Sequence, residues 1–386
     1  VARELARRAP RASICVLERE REPATHQSGH SSGVVHAGVY YRPGSLKARL
    51  CVQGARDLYA YCAERGIAHE RCGKLILAID PKQVPGLREL QRRGEANGVT
   101  GLRWLEGPAI QAVEPHARAL AALHSPATGL VDFAEVARAY ADDLLASGGS
   151  LATACEVTAV RPAVRSLCLS HARGETNARH VIFCAGAWSD RLALAAGAGA
   201  DPRIVPFRGA YLRLKPQSRE IVRALIYPTP DPALPFLGVH FTRRLDGDVL
   251  IGPTALIAPA RDAYALRTVR GRDLLDTLSW PGTWRMVGRF WRTGAGELHR
   301  ALSRRALVAA ASQLVPALDL ADVEPGPVGV RAQALSRNGA LLDDFAFSAS
   351  ERALHVRNAP SPAATAALAI ARHVCDRAAR AFALDG

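Results

Sequence analysis

The stretch VARELARRAPRASICVLE, residues Val1–Glu18, decides how the chain is read. VARELARRAP has the pattern of the back half of a helix closed by Pro10. SICVLE, from Ser13 to Glu18, is an apolar run with an acid at its end, the pattern of a parallel strand buried on both faces. Helix, strand and terminal acid in that order make the second half of a βαβ dinucleotide-binding unit, where the acid bonds a ribose hydroxyl. The first half of such a unit, a strand and a GxGxxG turn, does not precede Val1, so this reading carries the expectation of a chain truncated at its N-terminus. An ordinary surface strand also ends in Glu at times, and on these residues alone both readings stand.

The next stretch, HQSGHSSGVVHAGVYY at residues 26–41, places His26, His30 and His36 among small residues. A zinc site wants ligands at fixed spacing within one element, together with an acid; glycine and serine separate these histidines, so no metal is expected. Ser31, Ser32, Gly33 and the triplet His36-Ala37-Gly38 suit a loop whose peptide groups lie close against a ligand. His26 and His30 read equally well as hydrogen-bonded loop histidines.

Beyond this loop, Ser45 caps a helical pattern, SLKARLCVQGARDLYAYCAERG, that ends at Gly66. GKLILAID (Gly73 to Asp80) reads as a strand, Val84 to Asn97 as a helix, and the segment after Asp132 as a helix stopped by Gly148 and Gly149. A strand is expected near Leu151 to Val160, and another in ARHVIFCAG (Ala178 to Gly186), whose small final residues let backbone pass close to a cofactor. PFRGAYLRLK and FLGVHFTRRLDGDVLIGP alternate around turns and imply an antiparallel sheet. A final helix is expected to start near Ser361 to Ala363, presenting free N–H groups and a positive dipole end. Gly197 and Gly199 follow a helix and Gly294 and Gly296 follow no strand, so neither pair reads as a phosphate loop.

With 386 residues, the chain is long enough for two domains or one large interleaved α/β body. Apolar residues make up 48% of it and mean hydropathy is −0.01, yet no run of about 18 apolar residues occurs, so it reads as soluble. Its eight cysteines are scattered without a CxxC pair, which fits a reducing compartment and no structural zinc. The formal charge of +14 comes from arginines spread along the chain, without a lysine-rich or aromatic-interleaved block. Nucleic acid is therefore not expected; an Arg-rich solvated surface, an anionic lipid face or an acidic substrate fits instead.

The blocks HQSGHSSGVVHAGVYYRPGSLKARLCVQG, CGKLI, GLVDF, DPRIVPFRGAYL, PFLGVHFT, GPVGVRAQ and LHVRNAPSPAAT, in this order, resemble the L-2-hydroxyglutarate dehydrogenase/oxidase family, FAD-dependent oxidoreductases of the D-amino-acid oxidase type. The resemblance implies an α/β (α+β) fold in which an FAD/NAD(P)-binding Rossmann-like domain (1–75 with 130–205 and 325–386) is interleaved with an antiparallel-sheet substrate domain (76–129 with 206–324). It implies FAD held by Glu18, Ser31, Ser32, Gly33, His36, Gly38, Val157, Gly186, Asn358, Pro360 and Ser361. The activity it implies is oxidation of L-2-hydroxyglutarate to 2-oxoglutarate. For such a reaction His240 is the first choice of base and His355 the second; Arg331 in GVRAQ is expected to bind a carboxylate, with Arg208 and Arg357 as candidates for the distal one. The implied partners are a small dicarboxylate and, as electron acceptor, oxygen or a membrane quinone. The implied location is cytoplasmic or peripheral on the inner face of the cytoplasmic membrane, and mitochondrial in a eukaryote. Alternatives are another small hydroxy or amino acid as substrate, such as glycerol 3-phosphate or glycine, and a truncated fragment unable to hold FAD.

Overall fold

KLILA, Lys74–Ala78, is buried at every position because the chain covers both sides of it. Leu75 and Leu77 pack with Leu212, Ile226, Phe241, Ile251 and Val315, whereas Ile76 and Ala78 pack with Val39, Leu87 and Leu90. In the computed structural model, which describes residues 1–232, 236–265 and 267–382, this strand lies within a nine-stranded sheet. The order runs Leu256–Ile257, Arg203–Leu214, Val249–Gly252, His240–Arg243, Leu225–Pro228, Lys74–Ala78, Ala121–Ser125, Arg103–Glu106, with Val323–Leu335 paired to Arg203–Leu214 off that path. The expected antiparallel sheet is thus present, with one parallel pair where Lys74–Ala78 meets Leu225–Pro228.

The N-terminal unit is built from smaller pieces. Cys15–Leu17 pairs in parallel with Ser150–Ala152, Val181–Phe183 pairs in parallel with Ala353–Asn358, and Val157–Pro162 joins an antiparallel three-stranded sheet. Together with the large sheet these make the expected α/β architecture. The helix Ala2–Arg8 precedes Cys15–Leu17 as the opening stretch suggests.

Three expectations need correction. Cys15–Leu17 is not buried on both faces: Cys15 is exposed and Val16 and Leu17 half-buried, because Ser150–Ala152 is its one strand neighbour among the described residues. The single strand from Leu151 to Val160 is two strands, separated by a turn in which Ala154 has φ +51°. The final helix begins at Ala367, several residues later than expected, because residues 361–366 run as turns. Strands Lys74–Ala78, Arg203–Leu214 and Val323–Leu335 all lie in the large sheet. Pro235, which opens the block PFLGVHFT, lies outside the described residues.

The helix Leu46–Arg65 has the caps the sequence suggests: Ser45 accepts from the Ala48 N–H, and Gly66 closes it at φ +67°. It packs against the C-terminal segment at Gly54, where a Cβ would stand 2.5 Å from Ala366 Cα and 2.9 Å from Thr365 O. This backbone approach sets Thr365, whose hydroxyl accepts the His36 N–H at 3.1 Å. Gly54→Ala is expected to cost about 1–3 kcal/mol by overpacking. The check is the midpoint of urea unfolding; an unchanged midpoint would mean that the two segments can separate freely.

Candidate active site

Successive side chains of a strand point to opposite faces, so pairing register decides which residues of the large sheet share a face. Ile76 lies opposite Tyr227, and Ile226 opposite Phe241, which sets Lys74, Tyr227 and His240 on one face. His240 pairs with Gly252 and Leu212 with Ile251, which brings Tyr211 to that face as well. Phe207 pairs with Arg331, and Phe207 shares the parity of Tyr211, so Arg331 follows. The other face, with Leu75, Leu212, Ile226 and Phe241, is the apolar core.

The chosen face is cationic and aromatic. Lys74 is 2% exposed and its Nζ lies 4.0 Å from the Tyr227 ring centroid and 5.2 Å from that of Tyr40. Among the described residues no carboxylate pairs with Lys74. Burial lowers its pKa to about 7. His240 stacks on Tyr227 at 4.0 Å, and its Nδ1 donates to Gly238 O at 2.8 Å. That bond places the proton of the neutral ring on Nδ1 and leaves the Nε2 lone pair free. Burial, with Lys74 and Arg331 nearby, lowers His240 to about 3. Arg331 lies over the Phe236 ring at 5.1 Å.

Arg331 retains exposed surface, yet desolvation lowers its pKa; Cys184 likewise is exposed, and burial raises its thiol. A group that meets solvent while protein surrounds it stands in the wall of an internal cleft. Open cavities of about 300 and 120 Å³ flank the Ser31–Gly33 loop, the larger one lined by His30, Tyr211 and Arg244. Tyr211 ties that cavity to Arg331, its electrostatic neighbour.

The opening loop closes the cleft from the other side. His36 lies in the electrostatic neighbourhood of Lys74 and His240, and its pKa falls well below the ordinary imidazole range, through burial first and then those charges. Its Nε2 lies 3.4 Å from Ser361 Oγ. Three buried polar atoms here have no partner: His36 Nδ1, Tyr40 Oη and Asn358 Oδ1. Gly38 (φ +104°) and Gly186 (φ +51°) are sites where a Cβ would strike Val52 and Gln27.

A family model described as FAD dependent oxidoreductase matches residues 1–377. The chain belongs to that family. It is 47% identical to the mitochondrial L-2-hydroxyglutarate dehydrogenase of Nematostella vectensis, covering 99% of this chain and 88% of that protein. The mitochondrial L-2-hydroxyglutarate dehydrogenase of Homo sapiens is 42% identical over 99% and 86% of the two chains. The L-2-hydroxyglutarate dehydrogenase of Indibacter alkaliphilus is 41% identical over 98% and 95%. The fold is similar to FAD-bound L-alpha-glycerophosphate oxidase from Mycoplasma pneumoniae, with TM-score 0.78, 21% identity and coverage of 97% and 90%. It is also similar to glycine oxidase from Geobacillus kaustophilus, with TM-score 0.68, 18% identity and coverage of 97% and 91%.

FAD fits the residues present. Orphaned donors and acceptors and an acid closing the Cys15–Leu17 strand match a ligand that carries ribose and a ring with both kinds of hydrogen-bonding group. Glu18 accepts from the Glu20 N–H at 2.9 Å, and its carbonyl accepts from Cys155, two residues before Val157. Gly186 faces Gln27. His36, Ser361 and Pro360 gather at the other end, beside Asn358, which donates to the Leu342 and Asp344 carbonyls.

Other expected site residues lie elsewhere. His355 is buried on Val181–Phe183's partner strand, stacked on Phe183 at 4.6 Å, with both ring nitrogens unpartnered and burial lowering it to about 4. Arg357 is buried and donates to the Gly199 and Pro202 carbonyls, each at 3.0 Å, a tie within the FAD-side body. Arg208, one residue from Phe207, points to the face opposite Arg331 and donates to Ala263 O. His26 is held by Glu20 and His30 by Val328 O, so both are hydrogen-bonded loop histidines. No cluster that could hold a metal occurs among the described residues. The residue missed from sequence is Lys74; a lysine opening the apolar run KLILA was the available signal.

Lys74 gives a test of this electrostatic picture. Its pKa is lowered from 10.5 to about 7, so between those values the unfolded chain binds the proton and the folded protein does not. Stability therefore rises with pH across that window, by up to about 1.4 kcal/mol per unit, and the cost of the buried charge is complete below it. Lys74→Met is expected to raise the thermal unfolding midpoint at about pH 6 and leave it unchanged near about pH 10. An equal gain at both would show that the ammonium does not titrate in that window.

Proposed function

We propose that the protein oxidises L-2-hydroxyglutarate to 2-oxoglutarate with FAD as its cofactor, Arg331 and Lys74 holding the two carboxylates and His240 acting as base. The observation that carries this reading is the pair of desolvated cations on one face of the sheet, with His240 an electrostatic neighbour of both. A five-carbon diacid offers two negative charges with a carbinol between them. The identities of 41–47% to L-2-hydroxyglutarate dehydrogenases over nearly the whole chain support the substrate.

Bound FAD supplies the hydride acceptor. The chain's own residues orient and deprotonate. The Arg331 guanidinium takes the carboxylate beside the carbinol through two parallel N–H bonds, and the Lys74 ammonium takes the distal one. His240 Nε2, a lone pair fixed by the Nδ1 bond to Gly238, accepts the hydroxyl proton. Burial first, and then the two cations, lowers its pKa in the empty site; the arriving dianion offsets the two charges and so raises its basicity when substrate is present. Tyr227 and Tyr40 keep water from the ammonium. Glu18, Ser31, Ser32, Gly33, His36, Gly38, Val157, Gly186, Asn358, Pro360 and Ser361 are proposed to line the cofactor. The electron acceptor is oxygen or a membrane quinone, the second requiring contact with a membrane face.

The decisive experiment mixes the FAD-loaded protein anaerobically with each enantiomer of 2-hydroxyglutarate and follows the visible flavin band. The L form is expected to bleach it and the D form to leave it; bleaching by neither moves the substrate to another small acid. Arg331→Ala is expected to raise KM about 10- to 100-fold for any 2-hydroxy acid. Lys74→Met should do so for the diacid and spare a monocarboxylic 2-hydroxy acid, whereas His240→Asn should lower kcat by about 10²–10⁴. For the wild type, kcat/KM for the diacid should fall as pH rises through about 7, where Lys74 loses its proton, and Lys74→Arg should remove that limb.

A further inference from the structure

The loop 258–264 leaves the large sheet after Leu256–Ile257 and crosses to the FAD-side body. Ala258, Ala260 and Ala263 pack with Val330, whose side chain points to the face opposite that of its neighbour Arg331. At the far end of the loop Tyr264 stacks on His30 at 3.7 Å. Between these two contacts stands Arg261, a guanidinium only 1% exposed.

Arg261 is bonded in three directions. Its Nη1 donates to Ala187 O at 2.5 Å and to Asp190 Oδ1, and its Nη2 donates to Asp190 Oδ2 at 3.0 Å. Asp190, also 1% exposed, accepts the Ile204 N–H at 3.1 Å, at the start of the strand Arg203–Leu214 that carries Tyr211. The Arg261 main-chain N–H donates to Asp273 at 2.8 Å, and Asp273 and Asp276 pair in turn with Arg191. One side chain thus joins the turn Gly186–Trp188, the helix Ser189–Ala195 and, through Asp190, the large sheet. That turn begins two residues after Cys184, which stands in the wall of the cleft. Its other side has only ring contacts: Trp188 lies 4.8 Å from the His26 ring, and Arg19 lies over Trp188 at 4.3 Å.

We propose that Arg261 is a positioning residue, which sets the cofactor-side turn at a fixed distance from the substrate face of the sheet. Stability alone does not account for it, since well-packed apolar residues often serve a buried site as well as an ion pair does; what the pair adds is direction, because the donors of a guanidinium form a rigid fork. Lys74, His240 and Arg331 need no such help toward one another, as strand register already gives them a common face. The turn Gly186–Trp188 belongs to another body, and the reaction joins a substrate held by one body to a cofactor held by the other. A misplacement of about 1 Å between reacting groups costs about 100-fold in rate. Arg261 therefore acts on the rate and on the grip on the cofactor, and leaves the grip on the carboxylates alone. The inference rests on the placement of cofactor and substrate proposed above.

Arg261→Met alone would leave Asp190 buried without its cation and endanger folding. The test therefore uses the double variant Arg261→Met, Asp190→Asn, in which the amide oxygen still accepts the Ile204 N–H, and Arg261→Lys, which keeps the charge and loses the fork. Arg191→Met is the comparator: it removes the pairs to Asp273 and Asp276 and leaves those to Ala187 and Asp190. Each FAD-loaded protein is mixed anaerobically with L-2-hydroxyglutarate over a range of concentrations, and loss of FAD on dilution is followed by the return of free-flavin fluorescence. In the double variant the limiting rate of bleaching is expected to fall about 10- to 100-fold and the FAD dissociation constant to rise about tenfold, with half-saturation within about threefold of wild type. Arg261→Lys should show the same split in smaller measure. Arg191→Met should lower the thermal midpoint and keep the three other quantities within about twofold of wild type. An unchanged rate and FAD affinity in both Arg261 variants overturns the proposal, as does an equal loss in Arg191→Met, which would make the cluster a stabilising one only. A change confined to half-saturation also overturns it. If wild-type flavin is not bleached, the substrate reading fails by itself, and a tenfold loss of FAD affinity in the double variant with none in Arg191→Met still upholds the role of Arg261 at the turn.

Discussion

Two positive charges share one face of the sheet, Lys74 buried and Arg331 still open to solvent, with no carboxylate paired to either among the described residues, and the rest of the site depends on that. An ion taken out of water costs several kcal/mol unless another charge or a set of hydrogen bonds compensates it. Here the compensation is partial: Lys74 lies against the faces of Tyr40 and Tyr227, and Arg331 against Phe236. The large sheet offsets the remainder. Its other face buries Leu75, Leu77, Leu212, Ile226, Phe241 and Ile251 in continuous apolar contact, at about 1.5–3 kcal/mol per side chain. A site assembled this way is deficient in negative charge until an anion enters, which is what a dicarboxylate supplies.

The pleat converts that deficit into a shape. Lys74, Tyr227, His240, Tyr211 and Arg331 come from five strands distant in sequence, and register alone gives them a common face. A one-residue slip in any pair would send its member into the apolar core. The opposite wall is a loop and cannot hold itself; His36 is fixed through its N–H to Thr365, and Thr365 through the contact of Ala366 with Gly54. Small residues thus tie the loop down: Gly33 lets it lie against the Val131 carbonyl, and Gly54 lets the helix Leu46–Arg65 bring the C-terminal turn close.

Local patterns were legible wherever one element decides the outcome. The capped helix Leu46–Arg65, the helix after Asp132 and the strand at Lys74–Ala78 are where periodicity and capping residues put them. Features set by neighbours were not. SICVLE reads as a doubly covered strand, but cover is a property of what packs on it, and that is invisible along the chain. Arg208 and Arg357 qualify as carboxylate ligands by residue type; pairing register turns the first away, and the Gly199 and Pro202 carbonyls engage the second. His240 and Arg331 could be named from the resemblance. Their convergence with Lys74 depends on strands paired over long sequence separations, Phe207 with Arg331 and Lys74 with Leu225, which no local pattern carries.

The same electrostatics argues for a base that works only with its substrate in place. In the empty site His240 is neutral at any physiological pH and a poor acceptor, first because it is buried and then because protonation would set a third positive charge near Lys74 and Arg331. On the proposed roles, a dianion between the two cations offsets their charge at Nε2, so the ring gains basicity as the substrate arrives, and the Gly238 bond leaves Nε2 as the accepting atom. A monoanion cancels only one of the two charges, so the site discriminates by how basic the bound ligand makes His240 as well as by how tightly it holds that ligand. Selectivity and proton transfer thereby rest on one arrangement of charge.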